Sequence, residues 1–315
     1  MSNFFKLIYN ELFKIFVRKS TWFMFIALLI VLLGMGFLEK GFGDDYTNEN
    51  WRTELEQENK NLQKDLEEDD IEDSPFYDFA MSTIEENNYR LENDIMPLST
   101  GGWSFMYLTA SFLGLVSLFT IVIAAGIVAN EFSQGTIKLL LIRPIHRSVI
   151  LLSKYIAVLI FGFITAVSLL LLSLGVGGIL FGFEEHIPAV VIENTEGLTH
   201  LSVLKETIYG YSFYSVNLIM ITTLAFMISA VFRNNALSIG VALFLLFTGN
   251  TVVQFFSDKE WAKYILFANT DLRPYFGGKP LFEGMTLSFS VITLLVYYAI
   301  FVFLAWGIFT KRDVA

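Results

Sequence analysis

Cysteine is absent from these 315 residues, and there are only three histidines. The first absence removes disulfides, thiolate metal sites and cysteine nucleophiles together. His146, His186 and His200 stand apart, with no H-E-x-x-H pair, nucleophile elbow or intramembrane aspartate pair. Metalloprotease, serine hydrolase and intramembrane aspartyl protease readings therefore have little support. A G-x-x-x-x-G-K-S/T loop is also missing, so no P-loop binds nucleotide on this chain. Charge is scarce as well, at 17% of residues.

What the sequence has in quantity is apolar surface. Hydrophobic residues make up 54%, with 32 phenylalanines, which is far too apolar for an ordinary soluble domain. The fold class expected is an all-α polytopic membrane protein. A spanning helix needs about 20 mostly apolar residues, and six segments fit: 22–38, 105–129, 150–182, 213–232, 236–256 and 286–310. Only the third contains a charged side chain, Lys154, which lies near its start and is expected to snorkel to the interface. Ionisable groups in span centres cost about 2.5 to 3.5 kcal/mol and persist for function, so charge-free centres disfavour an ion-coupled carrier. The first segment has a long leader and no A-x-A-like cleavage site, and Glu39-Lys40 closes it directly. It reads as a retained anchor rather than a signal peptide.

Charge sets the expected orientation. With the N-terminus inside and each segment crossing once, the inner pieces hold 11 of the 21 basic residues and only Glu11, Glu131 and Asp313 of the 31 acidic ones. Basic residues in short loops favour the cytoplasmic side, so both termini are expected there. The net charge of -10 belongs to the outer face and says nothing about nucleic acid.

Between the spans, residues 1–21 place Lys6, Asn10, Lys14 and Arg18 at intervals of four, opposite Phe5, Ile8, Leu12, Ile15 and Phe16. That is an amphipathic interfacial helix, either an elbow for the first span or a contact for headgroups or a partner. Residues 39–104 carry 19 acidic and five basic residues and read as an acidic extracellular helical hairpin. One helical face holds Trp51, Leu55, Leu62 and Leu66; after "EDSP" the other holds Phe76, Ala80, Ile84, Leu91 and Ile95. Its acidity is a solvated face or a receiver of cations; EF-hand spacing is missing. Residues 183–212 are expected as an outer loop with a strand at 190–192, and 257–285 as short outer helices that dip into or lie on the interface. Asn217, Thr248, Asn250 and Gln254 either line a translocation path or hydrogen-bond between helices. Gly178 and Gly182 read as close helix packing.

The remaining inner pieces are 130–149, 233–235 and 311–315. The first contains "NEFSQGTIKLLLIRPIHR", too charged for lipid yet apolar around most of a helix. Asn130 or Ser133 is expected to cap a short helix with Glu131 near its positive end, and Pro144 to close it. A helix apolar on most sides needs a second covering surface, headgroups or protein.

The pattern E-x-x-x-G-T-x-x-x-L-x-x-x-P-x-x-R, formed by Glu131, Gly135, Thr136, Leu140, Pro144 and Arg147, resembles the loop between spans two and three of type-2 ABC exporter permeases. The N-terminal helix, the large outer loop after span one, the short helices before span six and the "TKRD" ending are similar too, so the resemblance runs along essentially the whole chain. It implies that Glu131, Phe132, Gly135, Thr136, Leu140, Pro144 and Arg147 form a coupling helix seated in a separate ATP-binding subunit. Lys14 and Arg18 would add a second ATPase or lipid contact. Two ATPase subunits, binding ATP and Mg, would join this chain and an identical or related second permease. The chain itself would hold no cofactor and catalyse nothing. Unlike the subgroup with a fused nucleotide-binding domain, this is a bare half-transporter by resemblance. It leans toward Gram-positive plasma-membrane permeases for peptide-antibiotic resistance or sodium efflux. The competing class is an ATPase-independent sensor or scaffold using the outer hairpin.

Overall fold

The computed structural model describes residues 2–43, 50–68, 74–136, 145–194, 197–232, 234–277 and 280–311. The protein is a helical membrane protein whose described residues include six helices long and apolar enough to cross a bilayer. They are α2 (Lys19–Phe42), the run Gly102–Ser133, α7 (Arg147–Leu180), α8 (Val203–Phe232), α9 (Asn235–Phe255) and α12 (Leu287–Lys311). The second run comprises α5 (Gly102–Thr109), a 3-10 turn (Ala110–Phe112) and α6 (Leu113–Ser133).

Burial sorts these helices into a centre and a periphery. The most apolar stretches of the second and fourth are 67% and 61% buried, against 22%, 22% and 17% for α2, α9 and α12. The second and fourth runs thus form the middle of the bundle. Small residues let them approach: Ala124 and Ala125 on α6 share one core cluster with Ala225 and Ala230 on α8. The Ser229 hydroxyl accepts hydrogen bonds from the backbone of Val128 (3.2 Å) and Ala129 (3.0 Å). Without a hydrophobic force between helices in lipid, such close packing and polar contact supply the association.

Several expected boundaries move, for reasons the local chemistry supplies. The first helix runs from 19 to 42 rather than 22 to 38, because its flanking polar residues remain helical. The helix that carries span four starts at Val203, ten residues before the expected 213, so residues 203–212 are helix and not loop. Ahead of it, the strand expected at 190–192 is longer and paired: β1 (Ala189–Asn194) lies antiparallel to β2 (Gly197–Ser202), with Val191 opposite His200. The stretch 257–285 contains a 3-10 turn (Glu260–Tyr264) and two single-turn helices, α10 (Leu266–Asn269) and α11 (Pro274–Gly277). Asn269 is buried there, donating to the carbonyls of Lys263 (2.8 Å) and Ile265 (2.9 Å) and accepting from Ser290 of α12 (2.8 Å).

The hairpin is α3 (Trp51–Glu68) against α4 (Pro75–Asn93). Ser74 caps α4, accepting from the Tyr77 amide at 3.2 Å, and Pro75 opens its first turn, where a missing N–H costs nothing. Trp51, Leu55, Ala80 and Ile84 are buried as expected, but Phe76 is 40% exposed. A polar layer takes part of the interior instead: Asn87 donates to Glu58 and Asn59, both at 3.0 Å, and Asn59 donates to Asn88 at 3.0 Å.

The glycines near the end of α7 divide their roles differently from expectation. A Cβ on Gly178 would stand 2.8 Å from the Phe183 ring, which is packing as foreseen. Gly182 has open space around it and φ of +76°, so it serves the turn that ends the helix.

Candidate functional site

At the bundle end opposite the hairpin, helix α1 (Ser2–Val17) lies against α7. Its buried face is Ile8, Glu11 and Ile15, spaced to fall on one side. Phe5, which the sequence places with this face, is 67% exposed, and so are Tyr9 and Phe13 in large part, because the covered stripe is narrower than the apolar one. Arg18 adopts an extended backbone between α1 and α2, so the expected helix over 1–21 is broken there. The elbow is pinned by side chains of α2: Thr21 donates to the Ile15 carbonyl (2.6 Å) and the Trp22 indole to that of Phe16 (2.9 Å). These are carbonyls that the end of a helix leaves unpaired.

Glu11 belongs to a cluster of four charges. The Lys154 ammonium, fully buried, donates to Glu11 Oε2 at 2.8 Å and to Glu131 Oε1 at 2.5 Å. Lys14 donates to Glu11 Oε1 at 2.7 Å and to Glu131 Oε1 at 3.3 Å. Two carboxylates thus balance two ammoniums, joining α1, the last turn of α6 and the first turns of α7. Lys154 does not snorkel outward as expected: two carboxylates closing over it satisfy the ammonium more fully than a reach to the interface. Glu131 Oε2 is buried without a hydrogen-bond partner among the described residues.

Outside the spanning helices, the cluster sets the titration of α1. Burial opposes the Glu11 carboxylate most strongly, but the Lys154 charge and hydrogen bonds from Lys14 and Lys154 outweigh it and hold its pKa below the ordinary 4.5. Burial also opposes the Lys14 ammonium, and its bonds and charge contacts with Glu11 and Glu131 hold its pKa above the ordinary 10.5.

Residues Leu140 and Pro144, and with them the expected centre of the coupling helix, lie outside the described residues. Asn130, Glu131 and Ser133 do not cap a new helix; α6 continues through Ser133 because Lys154 and Lys14 neutralise Glu131 at its negative end. Gly135 then turns the chain with φ of +70°, a conformation that favours glycine. Thr136 donates to the Glu131 carbonyl at 3.4 Å. The Phe132 ring meets Phe309 of α12 edge-on, centroids 6.3 Å apart. Arg147 opens α7.

Of the four polar residues proposed from sequence for a path, three are brought together. Asn217 of α8 and Asn250 and Gln254 of α9 line one cavity of about 720 Å³ near the hairpin end of the bundle. Thr248 is not part of its lining, and its hydroxyl donates to the Phe244 carbonyl one turn earlier, at 2.7 Å. Sequence reasoning missed Glu11 and Lys154 as site residues. The signal was present in the single charge of an otherwise uncharged apolar run.

These features define a polytopic membrane protein with a buried ionic junction at one end of its bundle and a polar-lined cavity toward the other. The chain belongs to the DUF2705 family, described as proteins of unknown function, whose model matches residues 79–315. It is 45% identical over 314 residues to "Uncharacterized protein YhcI" of Bacillus subtilis (strain 168), covering 98% of this chain and 99% of the relative. It is also 33% identical over 213 residues to "Uncharacterized membrane protein YdbK" of the same organism, covering 67% of this chain and 82% of the relative.

Proposed function

We propose that the protein is the membrane-spanning subunit of an ATP-driven exporter, moving an amphipathic or hydrophobic molecule across the plasma membrane of a Gram-positive bacterium. Both termini face the cytoplasm, and a separate ATP-binding subunit, in two copies, docks on the segment 130–149. A second permease subunit, identical or related, completes the assembly. The observation that carries this reading is the junction at Glu131. This residue stands at the entry to the loop and is tied through Lys154 and Lys14 to α7 and α1. A push on the loop at Glu131 would therefore reach α6, α7 and α1 together through these ionic contacts. An ATPase can drive such a device only by binding its two conformations unequally, and a shift from 1:99 to 99:1 needs about 5.5 kcal/mol of differential binding.

The test is copurification from native membranes followed by substrate-stimulated ATP hydrolysis. An ATP-binding subunit should accompany the wild-type chain. Glu131→Gln and Gly135→Ala should lower coupled hydrolysis while leaving membrane insertion intact. A chain that purifies without any ATPase, or variants with unchanged coupled hydrolysis, would remove the exporter reading in favour of a sensor or scaffold.

A further inference from the structure

The cavity near the hairpin end contains hydrogen-bonding groups that the fold itself does not use. Asn217, Asn250 and Gln254 reach its wall, and no side-chain amide of the three has a hydrogen-bond partner among the described residues. The Tyr107 hydroxyl in the same wall is also unpartnered among them. Each carboxamide offers two donors and an acceptor oxygen with two lone pairs.

Neighbouring polar groups are committed elsewhere. The Tyr214 hydroxyl bonds Ser117 and the Leu113 carbonyl, Tyr275 bonds Ser290 at 2.6 Å, and Thr270 donates to the Phe267 carbonyl at 3.2 Å. The two charged residues of the wall are engaged as well. Arg273 pairs with the buried Glu206 of α8, and the Asp271 carboxylate accepts from the Arg273 backbone amide at 3.0 Å. The wall thus presents unused amides, and Arg273, the cation among its described residues, is already paired with a carboxylate. The rest of its surface is apolar, with Phe213 and Phe267 among the lining rings.

We infer that this cavity binds an uncharged amphiphile of drug-like size, whose polar part carries amide or hydroxyl groups and whose apolar part lies against the rings. The volume suits such a molecule, since sites of this kind span roughly 300 to 1,000 Å³. A plain acyl chain would fill the space but leave the carboxamides unmet, which is unfavourable away from water. A carboxylate would have to share the Arg273 guanidinium with the carboxylate of Glu206, which repels it, and an ammonium would meet at Asp271 a carboxylate with one oxygen already accepting from a backbone amide. The inference rests on the exporter reading only in treating the occupant as cargo.

Equilibrium binding to the full chain in lipid nanodiscs, with no ATPase present, tests it. The probe is labelled N-acetyl-phenylalanyl-leucinamide, compared with its free-acid analogue. The uncharged probe should bind saturably, and the free acid more weakly. Combining Asn217→Leu with Asn250→Leu should weaken the probe about tenfold or more, since one lost hydrogen bond corresponds to roughly two- to twelvefold. Gln254→Leu, at an exposed position that folding tolerates, should weaken it about threefold by the same reasoning. Thr251→Leu, on the same helix but away from the lining, should leave affinity unchanged. Lack of saturable binding, or affinity retained or raised in the leucine variants, would overturn the site and mark the cavity as a lipid-filled gap. Binding without ATPase coupling would keep the site and remove the exporter reading; coupling without binding would do the reverse.

Discussion

Lys154 is the residue on which most depends. Its ammonium is fully buried, and Glu11 and Glu131 compensate its charge. Removing one member of a buried ionic set is costly because it leaves an uncompensated charge, typically about 3 to 5 kcal/mol. Lys154→Met is therefore expected to destabilise the protein by about that amount, read as a lowered thermal midpoint in nanodiscs. Adding Glu11→Gln should recover part of the loss, because the remaining Lys14–Glu131 pair is then balanced; a double-mutant cycle measures the coupling. The pH dependence has a definite sign. Glu11 is depressed below 4.5, so its contribution is present above that value and fades as pH falls through its lower folded pKa. Lys14 is raised above 10.5, so its contribution is present below that value and fades as pH rises through its higher folded pKa. Spin labels at Asn10 and Leu152, in a chain without native cysteine, should report a constant α1–α7 separation between about pH 5 and 10 and a loosening below 4.5. Glu11 and Lys14 are three apart and legible as an i,i+3 pair in the sequence. That Lys154 completes them, from 143 positions away, is not.

Among the elements, the junction of α5 with the end of α7 is the most constrained. The α5 N-terminus is capped by a side chain from a distant segment: Glu184 accepts from the amides of Trp103 (3.0 Å) and Ser104 (3.2 Å) and from the Ser104 hydroxyl (2.9 Å). A carboxylate there meets both the unpaired amides and the positive end of the helix. Glu184→Ala should cost about 1 to 2 kcal/mol and raise amide exchange in the first turn of α5, leaving α6 protected. Gly102 permits the approach itself, since a Cβ would lie 2.6 Å from the Gly182 carbonyl and 2.7 Å from the Phe183 ring. Gly102→Ala should separate the two helix ends and be more destabilising than Glu184→Ala, with the same exchange measurement extending the loss to the end of α7. The sequence announces a helix over this stretch from its apolar run, but the cap comes from 80 residues further on and obeys no local pattern.

At the scale of the whole molecule, the centre is small-residue packing of the second and fourth spans, and the flanks are large apolar side chains turned outward. Leu295 and Phe303 of α12 are 61% and 75% exposed. Their surroundings in the cell are lipid or another apolar surface, because such side chains have no stable place in water. Phe303→Arg should thus lower membrane insertion by about 2.5 to 3.5 kcal/mol near the bilayer centre, readable in a glycosylation-site insertion assay, whereas Thr251→Arg near the end of α9 should cost less. The helices themselves, the acidic hairpin and the apolar face of α1 follow from the amino-acid order alone, because run length and periodicity are local properties that lipid and water sort directly. Only the tertiary structure decided that Glu11, Lys14, Glu131 and Lys154 form one junction, and that Asn217, Asn250 and Gln254 share a cavity while Thr248 does not. The reason is physical: which buried charges and amides meet depends on how helices far apart in the chain rotate and cross, and that is set by packing.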